Sequence, residues 1–201
     1  MYKRQSLYNV EQLEILRGPN ALLFGRGGTG GLINRVTKKA EIGEAFGSFD
    51  FGADSFGAAD LAVDANFATS DTTAVRLNLH TDQLANHRDF YEGERYGINP
   101  TVKIVAGDTI VDLSYEYADH ERFIDRGIPT ANNRPVESLK DVVFGVEGLN
   151  LQTLEASILR ANVAHDYSDN GKFNMSFTSS DFKKMYKNLY AAAYDASANT
   201  V

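Results

Sequence analysis

The sequence predicts an all-β protein with strands of the membrane-spanning kind, and three observations predict it. Apolar and polar residues alternate with period two along a series of long segments, which gives each segment one apolar and one polar face. The connections between them switch between short polar turns and longer loops, as in transmembrane barrels with tight turns at one rim and long loops at the other. No stretch approaches the ~18 consecutive apolar residues of a membrane-crossing helix, and a mean hydropathy of −0.32 suits strands whose two faces average out.

Taken in order, residues 7–17 leave two readings open: Val10, Leu13 and Leu16 suit a helical turn, while Leu13, Ile15 and Arg17 suit a strand. Gly18-Pro19-Asn20 breaks whatever precedes it. Five glycines in seven positions follow from Gly25, then the β-branched run Ile33-Asn34-Arg35-Val36-Thr37, ended by Lys38-Lys39. From about Ala45 onward the alternation takes over. Leu61, Val63, Ala65 and Phe67 interleave with polar residues; so do Val75, Leu77 and Leu79, then Tyr96 to Ile104, then Val111 to Tyr117. Leu159 to Val163 and Phe173 to Phe177 repeat the pattern. With residues 45–54 added, the count is about seven strands, most nearer the ~10 residues of a barrel strand than the ~5–6 of soluble sheets. Ala68–Thr72, Ala106–Asp108 and Ser168–Gly171 are the short turns; Ala85–Glu94 and Glu121–Gln152 are the long connections. The short Asp54-Ser55 link, on the long-loop side, departs from the pattern. In the strand over 73–82, Val75, Leu77 and Leu79 are expected to face lipid, and Arg76, Asn78 and His80 a watery lumen. Phe67, Tyr96, Tyr117, Tyr167 and Phe173, near strand ends, suit the aromatic girdles of the two membrane boundaries.

Composition narrows function. Twenty basic against twenty-seven acidic residues leave a charge of −7, which argues against nucleic acid as a partner. Cysteine is absent, so no disulfide framework or thiolate metal site forms from these residues. The four histidines, His80, His87, His120 and His165, lack the paired spacing of a metal site. Gly25-x-Gly27-x-x-Gly30 spells a dinucleotide fingerprint, with Asp50 about twenty residues on, but that motif must open a helix, and Ile33, Val36 and Thr37 continue as strand. No nucleophile elbow or other triad context is present, so no catalytic residue is assigned and no enzyme is expected. Met1 to Ser6 lacks the apolar stretch of an export signal; an exported protein is expected to begin upstream.

Val10-Glu11-Gln12-Leu13-Glu14-Ile15-Leu16-Arg17-Gly18-Pro19, then Leu23-Phe24-Gly25, then Gly30-Gly31-Leu32-Ile33-Asn34-Arg35-Val36-Thr37-Lys38-Lys39, resembles the end of the plug in TonB-dependent outer-membrane receptors. The last of these runs, with Arg126-Gly127-Ile128-Pro129 and Phe144-Gly145, is similar to the ferric-siderophore branch. The resemblance implies a plug inside a barrel of about 22 strands. Residues 1–40 would be the C-terminal part of the plug and 41–201 the first strands of an incomplete transmembrane barrel. It also implies a function: a receptor and active importer of ferric siderophores in the bacterial outer membrane, energised through the periplasmic TonB coupling protein, whose contact segment would lie upstream. Its partners would be the ferric siderophore, that coupling protein and outer-membrane lipid, with no resident cofactor and iron carried only as cargo. Two alternatives stand beside it: TonB-dependent uptake of a cobalamin, sugar or peptide, and a soluble β-sandwich binding module.

The same resemblance singles out residues. Arg17 is a candidate plug–barrel lock, because in the family an arginine here ties the plug to barrel carboxylates; a solvated arginine in a watery lumen is the plainer reading. Gly18, Gly25, Gly30 and Gly31 read as tight plug turns where backbone approaches backbone and positive φ is needed. In the long connections, Arg88, Tyr91, Arg122, Phe123 and Arg126 mix cations with rings and are candidate first contacts for a flat, polar or anionic iron chelate; ordinary surface loop and girdle is the bland alternative.

Overall fold

The computed structural model describes residues 7–17, 31–191, 194–195 and 197–198. Strands β1 (Val10–Leu16) and β2 (Leu32–Thr37) pair antiparallel as a separate inner hairpin. The segment that suited helix and strand equally is therefore a strand: the β-branched run of β2 offers it a ladder that periodicity alone does not reveal. Gly31 enters β2 at φ +126°, and a Cβ there would lie 2.5 Å from the Leu16 carbonyl oxygen. Gly18, Gly25 and Gly30 lie outside the described residues.

The rest is one seven-stranded antiparallel sheet: β3 (Phe46–Ala53), β4 (Ala59–Ser70), β5 (Thr73–Ala85), β6 (Glu92–Ala106), β7 (Thr109–Phe123), β10 (Leu151–Ser168) and β11 (Gly171–Lys187), each paired with the next. Between β7 and β10, residues 124–150 carry only the two-residue strands β8 (Thr130–Ala131) and β9 (Arg134–Pro135) and a 3₁₀ turn at Glu137–Leu139. The tight turns are shorter than the sequence suggests, with Asp71-Thr72, Gly107-Asp108 and Asp169-Asn170 as the only unpaired links at that rim. Gly107 takes φ +57°, a conformation that favours glycine. The strands are correspondingly longer, reaching eighteen residues in β10, so part of each long strand lies beyond the hydrocarbon that ~10 residues cross.

The sheet is inside-out relative to a soluble protein. Its largest fully buried side chains are asparagines, among them Asn66, Asn78 and Asn99, while Phe49 and Phe51 on the opposite face are 75% and 70% exposed. Along β5 the burial alternates without a break: Ala74, Arg76, Asn78, His80 and Asp82 are buried on the inner face, and Val75, Leu77 and Leu79 look outward. The girdle candidates Phe67, Tyr96, Tyr167 and Phe173 stand exposed, and Tyr117 shares their outer face by register. Among the described residues no second sheet packs on this apolar face. A β-sandwich would cover it, so the soluble-module alternative has no support in the fold. One expectation needs correction. Arg76, Asn78 and His80 do face inward, but they are buried at 4%, 0% and 8% exposure rather than bathed in water, because the hairpin lies over them.

Proline in the middle of β6 is the one local conflict with a central strand, since Pro100 cannot donate to the ladder. The β6–β7 pairing skips Asn99 and Pro100 and resumes in the same register. Asn99 Nδ2 donates to the Tyr115 carbonyl at 2.7 Å and to Ser114 Oγ at 3.1 Å. Tyr115 is the residue opposite Pro100, so the neighbouring amide supplies a donor where proline has none.

The outward assignment gives a first prediction. In the full-length protein, Leu77→Arg is expected to lower barrel stability by roughly 2–4 kcal/mol in urea unfolding, the cost of an arginine at mid-membrane. A spin label at position 77 in bilayers is expected to meet acyl chains and one at position 78 not to; water contact at 77 would contradict the orientation.

Candidate functional site

The inner face of the sheet and the hairpin meet through a charged network centred on Arg76. Its Nε and Nη2 donate to the two oxygens of Asp64 at 2.8 and 2.7 Å, a bidentate pair between adjacent strands. The hairpin and the segment after it supply the rest. Nη1 donates to Glu41 Oε1 at 2.9 Å and to the Lys39 carbonyl at 3.0 Å, and Glu11 Oε2 stands 3.2 Å from Nη2. The Phe46 ring lies over the guanidinium, 5.0 Å from ring centre to Cζ. Lys38 Nζ adds a second cation to Asp64 at 2.9 Å. Lys39 Nζ reaches Asp112 at 2.8 Å, where Lys103 also pairs at 3.2 Å. The dilysine that ends the β-branched run thus spans from β4 to β7.

Two further contacts fix the position of the hairpin. Asn66, directly opposite Arg76 in the ladder, accepts from the Glu41 amide at 3.0 Å and donates to the Glu41 and Glu44 carbonyls at 2.8 Å each. It satisfies the backbone of the connecting segment as a paired strand would. Asn9 Nδ2 donates to Asn99 Oδ1 at 3.3 Å, and Arg35 donates to Asn9 Oδ1 at 3.2 Å.

Tyr8 completes the docking. Its ring stacks on His80 with centroids 5.2 Å apart and occupies the space over Gly97, where a Cβ would fall 2.8 Å from the phenol oxygen. Glycine is needed in this strand because a ring takes the place of a side chain. Burial, reinforced by Glu116, pushes the Tyr8 phenol pKa up, so it stays neutral at physiological pH. His80 Nε2 lies 2.7 Å from Asp82, which Arg95 of β6 also pairs.

The long-loop rim carries a second cluster. Arg88, from the 86–91 connection, pairs with Asp125 and donates to the Lys140 and Val142 carbonyls at 2.8 Å each; its guanidinium braces one loop against another. Asn150 Nδ2 donates to the Ile124 and Leu189 carbonyls at 3.1 and 2.7 Å, and its Oδ1 accepts from the Leu189 and Val146 amides. Arg126 lies over the Tyr190 ring, 4.9 Å from its centre. Arg122 donates to Gln152 Oε1 at 2.8 Å, Phe123 is buried against the Gly145 backbone, and Tyr91 is half-buried, its amide donating to the Arg88 carbonyl. Arg17 stands exposed just past β1, with no ion pair to a described residue. The five loop candidates therefore lie at one rim, although Arg88 and Phe123 are committed to holding the loops. Sequence reading missed Arg76, Asn66, Asn99 and Tyr8. Polar residues on an alternating strand looked like lumen lining, and the one available signal was Pro100 inside a strand.

No family model matches the chain. Among curated proteins it is 27% identical over 84% of its length to the probable TonB-dependent siderophore receptor PiuA of Acinetobacter baumannii, of which it covers 24%. It is 33% identical over 61% of its length to the catecholate siderophore receptor Fiu of Escherichia coli, covering 16% of that protein. The crystal structure of PiuA superposes on 92% of the chain with a TM-score of 0.82 at 24% identity, using 28% of the PiuA chain. The chain thus spans about a quarter or less of the length of these relatives.

The Tyr8–Gly97 contact gives a second prediction. In the full-length protein Gly97→Val is expected to loosen the hairpin by about 1–3 kcal/mol through overpacking, read as faster limited proteolysis of the hairpin. Tyr8→Ala in the same background is expected to recover part of that loss. Strictly additive effects of the two substitutions would show that the ring does not sit over this glycine.

Proposed function

We propose that this chain, a segment of a TonB-dependent siderophore receptor, comes from an outer-membrane importer of ferric siderophores. The single observation that carries the reading is the inside-out wall with a hairpin docked on its polar face. A protein that only needed a pore would have no reason to hold a folded segment on its inner face by four ion pairs, from Glu11 and Glu41 to Arg76, from Lys38 to Asp64 and from Lys39 to Asp112. The kinship to siderophore receptors in sequence and fold supports the choice of cargo.

In this reading residues 1–40 belong to the plug and 41–201 to the barrel wall. Transport is a gated displacement with no covalent chemistry by the protein: iron crosses as cargo inside its chelator, and work is supplied from the periplasmic side by the TonB coupling protein. The docked hairpin defines what that work must overcome. The hairpin segment leaves only by giving up its ion pairs to Arg76, Asp64 and Asp112 together, so spontaneous release is rare and the lumen stays shut between transport events. Arg122, Arg126 and Tyr91 are the rim residues placed to touch arriving cargo. Arg88 and Phe123 position the loops that carry them, and Arg17 is left to meet carboxylates of the parent barrel.

The test is uptake. Cells expressing the full-length receptor are expected to accumulate radio-iron supplied as a ferric siderophore, and a protonophore is expected to abolish the accumulation. Energised uptake of a cobalamin, sugar or peptide without any ferric chelate would select the other cargo class, and no energised uptake at all would contradict the proposal.

A further inference from the structure

At the long-loop rim the main sheet stops at Ala85 and Glu92, at Phe123 and Leu151, and at Lys187. Three consecutive connections, 86–91, 124–150 and the residues after β11, rise beyond the ladder, and their backbone groups need other partners. Side chains supply them, and the side chain lies in a different connection from the backbone it serves. Arg88 of the first connection turns its whole guanidinium to the second. Nε pairs with Asp125, while Nη1 and Nη2 donate to the Lys140 and Val142 carbonyls at 2.8 Å each. Those carbonyls follow the 3₁₀ turn Glu137–Leu139, whose amide bonds run back into the turn, Lys140 to Glu137 and Val142 to Leu139. The open end of the turn is thus capped by a cation from a neighbouring loop.

Asn150 makes the corresponding tie between the second connection and the third. It is buried, and its amide is filled to capacity, with both donors and both acceptor sites used. Nδ2 donates to the Ile124 and Leu189 carbonyls, and Oδ1 accepts from the Val146 and Leu189 amides. The exchange with Leu189 has the two-point form of a peptide group in an antiparallel pair. A side chain therefore carries the pairing beyond Lys187, where the β10–β11 ladder has ended. Arg126 of the second connection also covers the Tyr190 ring of the third. On the other flank, Phe56 of the β3–β4 turn meets the His87 ring at 6.3 Å between centroids, a weaker tie.

We propose that these three connections open and close as one cooperative body, with Arg88 and Asn150 as its two couplers. A guanidinium fork on three acceptors and a saturated amide each have one good arrangement. Moving any one connection outward breaks bonds that the next one needs, so the loops part together or not at all. The inference rests on the importer reading only for its use: cargo would enter above these strands by a single displacement of the rim, not by one loop swinging alone. Arg88 and Asn150 are positioning residues in this scheme, and neither has to touch cargo.

The experiment is amide hydrogen exchange of the full-length protein in bilayers without cargo. It follows Tyr91, Val142 and Leu189, one amide in each connection and each hydrogen-bonded. In the wild type the three are expected to share one protection factor within about threefold, as members of one opening unit do. Arg88→Lys keeps the charge but cannot hold both carbonyls with one ammonium. It is expected to speed all three amides by on the order of tenfold, Leu189 included although Arg88 does not touch it. Asn150→Asp keeps the size and loses the donors, and is expected to speed all three likewise, Tyr91 included. Strands β4 and β5 are expected to stay unchanged. Unrelated protection factors in the wild type, or acceleration that spares Leu189 in the first variant and Tyr91 in the second, overturns the proposal. If either variant fails to fold, nitroxides at Asp89→Cys and Glu147→Cys, both exposed, give a second reading with both couplers intact. One narrow distance distribution supports a single body, and a broad one overturns it. All of this is read without cargo, so failure here leaves the importer to be decided by uptake.

Discussion

The Arg76 guanidinium is the charge around which the two sheets assemble. It is almost fully buried, and a buried ion costs several kcal/mol unless partners on every side replace water. Its own wall provides half of those partners through Asp64, and the hairpin segment provides the other half through Glu11, Glu41 and the Lys39 carbonyl. Neither piece is electrostatically complete alone. Asp64 shares the dependence, because it answers Lys38 as well.

A second constraint comes from the solvent. A strand in lipid must send apolar side chains outward and polar ones inward, so the protein interior is built from asparagine, aspartate and arginine where a soluble fold would use leucine. Asparagine is the recurring answer because one side chain offers both donors and acceptors. Asn66 grips the backbone of the connecting segment, and Asn99 repairs the ladder beside Pro100 while its other end meets Asn9. Such a lining is specific to its partner. Moving the hairpin along the wall by one residue would leave each of these amides facing the wrong group.

Most of the wall was legible from the sequence and little of the docking was. Alternation revealed the strands and the face of each residue, because period two is a property of one segment and needs no knowledge of its neighbours. Which inner residues are covered depends on contacts between distant residues, such as Tyr8 with Gly97, Asn9 with Asn99 and Lys39 with Asp112, and no local pattern encodes those. Arg76 therefore looked like a lumen arginine when it is the most heavily paired cation described. The loop candidates show the same limit. Arg88 and Arg126 have similar sequence surroundings, yet one braces two loops and the other covers a tyrosine ring. The family resemblance directed attention to Arg17, which stands exposed, whereas the ion pairs that join hairpin and wall in this chain converge on Arg76, Asp64 and Asp112.

The Arg76 node holds the hairpin to the wall, and amide hydrogen exchange tests that hold most directly. In the full-length protein, Arg76→Met removes the charge while keeping most of the side-chain volume. The amides of Val10–Leu16 and Leu32–Thr37 are then expected to exchange at least about tenfold faster than in the wild type, with β10 and β11 unchanged, as local opening of one unit. Unchanged protection of the hairpin in Arg76→Met would contradict the claim.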